Sequence, residues 1–365
     1  MRRGDGVTGT EVLREATGSR RPRIDIICPT YNRSTAIRPT LTGVLEQSVG
    51  DWRLLVVSDA SSDDTEDVVL GCRDPRIALL RSERHGHPGG PRNVGLAHAR
   101  APYIAYLDHD DLWEPHHLRT LLEQLERGAE IVATGATYID HEGRETGRTE
   151  PADMVWHPDL QAVYALFEPA RVGHVRGVVE SVGGWTTDTA GFEDWDLWWR
   201  LGEAGHAFQP VLERTAVIYR GSDTRTESVR ARYAIPVGRT DSEDAARGCL
   251  DALADDGTRD RLAALYAADF ADWWDALARD DRFRTAPGTA RAEVLGALRE
   301  RSDGARTHVF TQLRHARRRD GHLLYDPAWC TSKDQAARMS AVMRDRDVRQ
   351  REFLHGLLAR GASGG

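Results

Sequence analysis

Three stretches of the sequence crowd carboxylates into a few residues. "YIAYLDHDDLW" (Tyr103–Trp113) ends an apolar run in Asp108, His109, Asp110 and Asp111. Unpaired carboxylates so close together repel one another. One Asp would serve as a helix cap; three at one strand end fit a cation site better. "DHD" places Asp108 and Asp110 on the same side of a locally extended chain, within reach of one ion directly or through water. Asp111 suits the start of the helix in "EPHHLRTLL". "WRLLVVSDASSDDT" leaves Asp59 at the end of a second apolar run, as an acceptor for an N–H group or as a turn residue. In "GFEDWDLWW", Glu193, Asp194 and Asp196 compete as the base that takes a proton from a hydroxyl, and a charged helix N-terminus is the plain alternative.

The elements between these acids decide whether they can meet. Apolar runs predict strands over Arg23–Pro29, Trp52–Asp59, Arg76–Ser82, Tyr103–Asp108 and Glu130–Ile139. The segments between them have helical spacing or helix-start residues. Alternation of this kind implies an α/β fold with a mainly parallel sheet covered by helices on both faces. Ligands bind beyond the carboxyl ends of such strands, where Pro29, Asp59 and Asp108 fall. Farther on, "PADMVWHPDLQ" reads as a loop and "ERTAVIYRG" as a strand. "GFEDWDLWWRLGEAGH" reads as a helix with Leu197, Trp198 and Leu201 on its apolar stripe. After about Ser228 the alternation stops and amphipathic helices follow. The expected organisation is a flexible tail over 1–22, an α/β domain over 23–228 and a helical domain over 229–365.

"CPTYNR", "VVSDASSDDT", "PRNVGLAHARAPYIAYLDHDDLW" and "GFEDWDLWWRL", in that order, resemble the signature set of the family 2 glycosyltransferases, which have the GT-A nucleotide-sugar fold. The resemblance spans roughly Arg23 to Gly221. It implies an inverting transfer of sugar from a nucleotide-sugar donor, a UDP-sugar by preference, to a hydroxyl, with Mn2+ or Mg2+ as cofactor. Metal contact then falls to Asp110 directly, while Asp108 holds the ribose or bridges to the metal through water. Asp59 would accept the base N–H, with Pro29, Thr30 and Tyr31 flanking the base. Arg33, Arg92 and His109 complete the donor contacts. Asp194 would be the general base, with Glu193 shaping the acceptor side and Asp196 pairing with an arginine or capping its helix. Trp198 is expected in the core, and Trp185 or Trp195 toward the acceptor. The sequence departs from the family pattern in two places. Ser58 stands where an acid often precedes Asp59. No His closely follows Tyr219 and Arg220, so Asp223 or Arg225 takes that region.

The chain has 365 residues, 40% of them hydrophobic, enough for a substantial core. Its formal charge of −8, with both signs interspersed, argues against a nucleic-acid binder. Lys333 is the only lysine, so arginine carries almost all of the positive charge. Cys28, Cys72, Cys249 and Cys330 lack metal or disulfide spacing. No stretch suits a membrane span, and "MRRGDGVTGTEVLREATGSRR" lacks the apolar centre of a secretory signal, so a cytoplasmic location is expected. The acceptor stays open among a sugar, a metabolite, a peptide or a lipid-linked sugar, and the C-terminal helices would supply acceptor contacts, a homodimer surface or both. Two other classes remain: a sugar nucleotidyltransferase, for which "CPTYNR" is a poor triphosphate loop, and a non-catalytic nucleotide-sugar binding module.

Overall fold

The computed structural model describes residues 9–18, 21–187, 191–220, 233–304, 313–328 and 330–362. The elements run β1 (Glu11–Arg14), β2 (Ile24–Thr30), α1 (Ile37–Leu45), β3 (Trp52–Ser58), α2 (Thr65–Gly71), β4 (Ile77–Arg81), α3 (Gly89–His98), β5 (Tyr103–Tyr106), β6 (Leu112–Trp113), α4 (His117–Leu125), β7 (Ile131–Ile139) and β8 (Glu145–Arg148). There follow β9 (Val155–Trp156), α5 (Pro158–Val163), β10 (Val172–Val175), α6 (Val178–Ser181), α7 (Glu193–Glu203) and β11 (Phe208–Tyr219). The remainder comprises β12 (Tyr233–Thr240), α8 (Glu243–Ala254), α9 (Asp256–Arg279), β13 (Arg284–Thr285), α10 (Arg291–Gly304), β14 (Arg314–Arg318), β15 (Gly321–Ala328), α11 (Lys333–Arg346) and α12 (Val348–Ala362). None of the helices among the described residues is long and apolar enough to cross a membrane.

The chain forms two units. The first comprises residues 1–158, 165–229 and 284–287; the second comprises 159–164, 230–283 and 288–365. In the first, one large sheet runs in the order β1-β4-β3-β2-β5-β10-β7-β11-β6, with β8 added beside β7. The strands β4, β3, β2 and β5 are mutually parallel, and β7 and β11 are parallel to each other, while β10 is antiparallel to both neighbours. The chain winds outward from β2 to β4 and returns to β5 on the other side of β2. That reversal opens a crevice at the carboxyl ends of β2 and β5.

The strand pleat splits the core in two. Ile24, Ile26 and Cys28 of β2, with Leu54 and Val56 of β3, pack with α1 and α4 residues such as Leu41 and Leu121. Ile27 and Leu55 point the other way, into a second core with Leu96 of α3 and Leu197, Trp198 and Leu201 of α7. Alternate residues of one strand therefore feed two cores, as a sheet covered on both faces requires. Gly95 lets α3 lie close on β2: a Cβ there would stand 2.5 Å from Ile27 Cγ2.

Three expectations need correction. The segment before residue 22 is not a tail throughout, because β1 pairs antiparallel with β4. The open edge of β4 offers unpaired backbone groups, and Arg14 locks the pairing by donating to the carbonyls of Ile77, Leu70 and Cys72. "PADMVWHPDLQ" is not a plain loop; Val155–Trp156 pairs with Arg284–Thr285, and a helix starts at Pro158. The second unit is largely helical, as expected, but also holds an antiparallel sheet, β12-β15-β14. Val237 and Leu324 of that sheet share a core with Cys249, Leu262, Tyr266 and Leu358 of the helices. Helices α8, α9 and α11 begin at side-chain caps: Ser242, Asp255 and Ser332 accept from backbone amides three residues on.

Candidate active site

The loops after β2 and β3 are laced together. Asn32 exchanges bonds with Ser61 and Ser62, the Arg33 amide donates to Thr65 Oγ1, and the Ser34 amide donates to Asp63. Among the described residues, Asn32, Ala60 and Phe192 are the non-glycine positions with left-handed backbone, at φ 49°, 54° and 58°. Such backbone costs on the order of 1–3 kcal/mol for a residue with a Cβ, least for Asn. All three border the candidate acids: Asn32 follows β2, Ala60 follows Asp59, and Phe192 precedes Glu193.

Asp59 is buried and surrounded by donors. Arg84 pairs with Oδ2, the His85 amide donates to Oδ1 at 2.7 Å, and the Gly86 amide donates to Oδ2 at 2.9 Å. The Asp59 amide in turn donates to the carbonyl of Thr30. Beside it, the Arg84 guanidinium lies 3.5 Å from the centre of the half-exposed Tyr31 ring. Pro29 and Thr30 belong to β2 and are buried; Pro29 contributes its carbonyl, and the Thr30 hydroxyl has no hydrogen-bond partner among the described residues.

The acids after β5 have diverged in role. His109 spans the crevice: its Nδ1 meets the Pro29 carbonyl at 3.2 Å, and its Nε2 accepts from Arg33 Nε at 3.2 Å. With Nδ1 donating, the Nε2 lone pair belongs to Arg33. Asp111 corrects the expectation of a helix cap. It is buried and accepts from the Tyr219 amide at 3.0 Å, tying β11 to the acid loop, while α4 begins at His117. Burial, and then the charges of Asp108 and Asp110, push the Asp111 carboxyl well above its ordinary range. The same acids, after burial, push the Cys28 thiol upward. The loop thus carries strong negative potential. Asp110 is its most open acid, with a side chain 41% exposed. Among the described residues no group of three His, Cys, Asp or Glu side chains is arranged to hold a metal by itself. Two carboxylates, water and donor phosphate oxygens make the usual magnesium arrangement; Asp110 and Asp108 are the carboxylates that could supply it, Asp108 with one oxygen already held by Arg92.

Arg92 ties the acid loop to α7. Fully buried, it donates to Asp108 Oδ1 at 2.6 Å and to Glu193 Oε1 at 3.1 Å. Its guanidinium stands 4.4 Å from the centre of the Trp185 ring. Burial opposes the Arg92 charge, but Asp108 and Glu193 more than offset this and raise its pKa. The helix that carries Arg92 is tightly seated: a Cβ on Gly89 would lie 2.3 Å from the Thr186 carbonyl oxygen. Asn93 exchanges two 2.8 Å bonds with the backbone of Trp185. The glycine-rich "GHPGGPRNVG" is therefore a close-packed helix start.

Their partners separate the three acids of α7. Asp196 pairs with Arg200 at 2.8 Å, and Arg200 caps the carbonyls of Val182 and Gly184. Glu193 pairs with Arg92. Asp194 accepts, among the described residues, from the amide of Trp195 at 2.7 Å. Burial and the neighbouring Glu193 push its carboxyl up to about 7, against the pull of that amide and of Arg92. Glu168 adds to the rise. Burial works to raise Glu168 itself, but Arg171, 2.8 Å away, holds its carboxyl below the ordinary range.

The structure thus joins Arg92, Asp108 and Glu193 in one network, Tyr31 and Asp59 in a second, and Pro29, Arg33 and His109 in a third. Trp198 is fully buried, and Trp185 and Trp195 are buried too, with rings packed against Tyr106 and Phe192 respectively. Asp223 and Arg225 lie outside the described residues. Arg84, Asn93 and Glu168 escaped the sequence reading. Arg84 and Glu168 stand in no motif, and Asn93 was masked by its position next to Arg92.

The family profile for glycosyl transferase family 2 matches residues 25–182. The succinoglycan biosynthesis protein ExoO of Rhizobium meliloti is 31% identical over 140 residues, 38% of this chain and 40% of its own length. The UDP-Glc:alpha-D-GlcNAc-diphosphoundecaprenol beta-1,3-glucosyltransferase WfgD of Escherichia coli is 38% identical over 102 residues, 28% of this chain and 40% of its own. A putative teichuronic acid biosynthesis glycosyltransferase, TuaG of Bacillus subtilis, is 32% identical over 126 residues, 34% of this chain and 50% of its own. The chain thus spans about two fifths to half the length of these curated relatives. A crystal structure of S. aureus TarS with UDP-GlcNAc superposes at a TM-score of 0.49 with 15% identity, covering 82% of this chain and 95% of that one. Residues 25–182, which hold Asp59, Arg92, Asp108 and Asp110, thus form a glycosyl transferase family 2 domain.

Proposed function

We propose that the chain is a metal-dependent, inverting glycosyltransferase that moves a sugar from a UDP-sugar to a hydroxyl group. One observation carries the reading. Asp194 is a partly buried carboxyl pushed up to about 7, and its neighbour Glu193 is tied by Arg92 to Asp108 in the acid loop at the sheet's carboxyl edge. A general base works best with a pKa near the operating pH. The name of the E. coli relative specifies a UDP-glucose donor, which supports uridine as the nucleoside.

In this reading Asp194 takes the proton of the acceptor hydroxyl as its oxygen bonds to the anomeric carbon. The bond from that carbon to the diphosphate breaks on the opposite face, inverting the centre. Arg92 holds Glu193 and Asp108 in register, so the acceptor side and the donor side move as one body. Asp59 and Tyr31 take the base, and Arg33 is oriented by His109. Asp110, with Asp108, would hold Mn2+ or Mg2+, which supplies charge neutralisation for the departing diphosphate.

The test is to incubate the full chain with UDP-glucose, UDP-GlcNAc and GDP-mannose, with Mn2+, Mg2+ or EDTA, and to follow nucleoside diphosphate release. Metal-dependent UDP release is expected. Release of pyrophosphate from UTP and a sugar 1-phosphate would point to nucleotidyl transfer, and no release from any donor would reject the reading.

A further inference from the structure

The Asp59 corner already holds a group with the chemistry of a nucleobase. The Arg84 guanidinium is flat, lies 3.5 Å from the centre of the Tyr31 ring, and gives an N–H to Asp59. A pyrimidine imide offers the same pair of features: a flat face for an aromatic ring and an N–H for a carboxylate. The match does not come from a crowded interior, because the Arg84 side chain is 43% exposed and has solvent to move into. The rest of the corner does not depend on it. Asp59 keeps the His85 and Gly86 amides, which fix its orientation, and the loops carrying Tyr31 and Asp59 are laced by Asn32, Ser61 and Ser62. Arg84 is thus the movable member of a corner whose other members are held.

We propose that Arg84 occupies the nucleobase position of the donor site and is displaced when the base enters, so that it sets nucleotide affinity. The proposal rests on the assignment of Asp59 and Tyr31 to the base. An incoming base must give Asp59 an N–H to replace the one withdrawn. Uracil does so through its imide. Cytosine presents a bare ring nitrogen at that position and leaves the carboxylate uncompensated. Arg84 therefore also acts as a specificity residue, since a base without the N–H cannot make good the contact it displaces.

The apparent affinity of a site falls in proportion to the fraction of time it is open. With Arg84 in place for about 70–90% of the time, its removal lowers the dissociation constant about three- to tenfold. The experiment is calorimetric titration of the full chain with UDP and with CDP, on wild type, R84A, R84K, D59A, Y31A and the D59A/R84A double variant. Melting temperatures confirm that each variant folds. R84A should bind UDP about three- to tenfold more tightly. R84K should fall between, since an ammonium pairs with Asp59 but offers no flat face. In the D59A background the second change should bring little or no gain, because the competition is for Asp59. An R84A affinity equal to or weaker than wild type overturns the proposal. If D59A weakens UDP binding while R84A weakens it too, Arg84 is a direct base contact and only this proposal fails. If neither D59A nor Y31A changes UDP affinity, the base lies elsewhere and the assignment of the donor site fails with it.

Discussion

Asp59, after β3, is a buried carboxylate and Asp194, in the first turn of α7, a partly buried one, and they are wired in opposite ways. Asp59 accepts from Arg84 and from two successive backbone amides of one short loop. Asp194 accepts, among the described residues, from the amide next to it, and sits beside another acid. A carboxylate ringed by donors is a fixture that recognises a further N–H by exchange. A carboxylate short of donors and close to like charge has proton affinity to spare. The contrast supports the proposed division, with recognition at one corner and proton transfer at the other, and it can be broken at either end.

The largest effect is expected at Asp194. Asp194→Asn keeps the shape and removes the proton acceptor, so turnover should fall about a hundred- to ten-thousand-fold, with UDP affinity unchanged. In the wild type, the unprotonated form prevails only above about pH 7. kcat/KM should therefore climb through that region on its acid side and level off beyond it. The stability consequence has the opposite sign. The unfolded carboxyl ionises near pH 4, whereas the folded one resists ionisation up to about 7, so its burial erodes stability as pH rises between those values. The Asn variant should accordingly melt at or above the wild-type temperature at pH 8 and match it at pH 4. Near-normal turnover would shift the base to Glu193 or Asp196, although Arg92 and Arg200 already engage those.

Next in size is the cation. EDTA should abolish UDP release and Mn2+ or Mg2+ restore it, and Asp110→Ala should behave like the chelated wild type. Removing one of three crowded acids relieves repulsion, so the metal-free variant should melt no lower than its parent. A lower melting temperature with an intact metal response would make Asp110 structural.

Asp59→Ala tests the recognising corner. A charge-assisted hydrogen bond contributes roughly 1.5–3 kcal/mol, so UDP should bind about ten- to a hundredfold more weakly. Turnover at saturating donor should change far less, because the base is remote from the reacting carbon. An unchanged dissociation constant would erase the contrast between the two acids.

The smallest effect lies under the site. Gly95→Ala places a methyl group against Ile27, where α3 crosses β2. Overpacking of this kind costs about 1–3 kcal/mol, visible as a lower denaturation midpoint. Some loss of activity should accompany it, because α3 carries Arg92. A midpoint equal to wild type would show that the helix can shift without strain.

Much of this was present in the linear sequence, for a local reason. A strand buried on both faces must be continuously apolar, and a strand end can be charged. "RIDIICP", "WRLLVVSD" and "YIAYLD" therefore announced β2, β3 and β5, and the last two also the acids at their ends. Helical spacing likewise placed Leu197, Trp198 and Leu201 on one buried face of α7. Short or exposed strands carry no such signal. Glu11–Arg14 and Arg314–Arg318 are polar enough to read as tail or helix, and they become strands only because a partner edge stands beside them. Spacing alone leaves Glu193, Asp194 and Asp196 equivalent, and only the family resemblance named Asp194. What spacing could not show is that Glu193 pairs with Arg92, 101 positions upstream, and Asp196 with Arg200 one helical turn on. Arg84 lies 25 positions from Asp59 and comes to it only because β3 and β4 are parallel neighbours. Sequence determines which residues can carry charge at a strand end; only the fold determines which of those charges find a partner, because pairing depends on distance in space and spacing along the chain is blind to it.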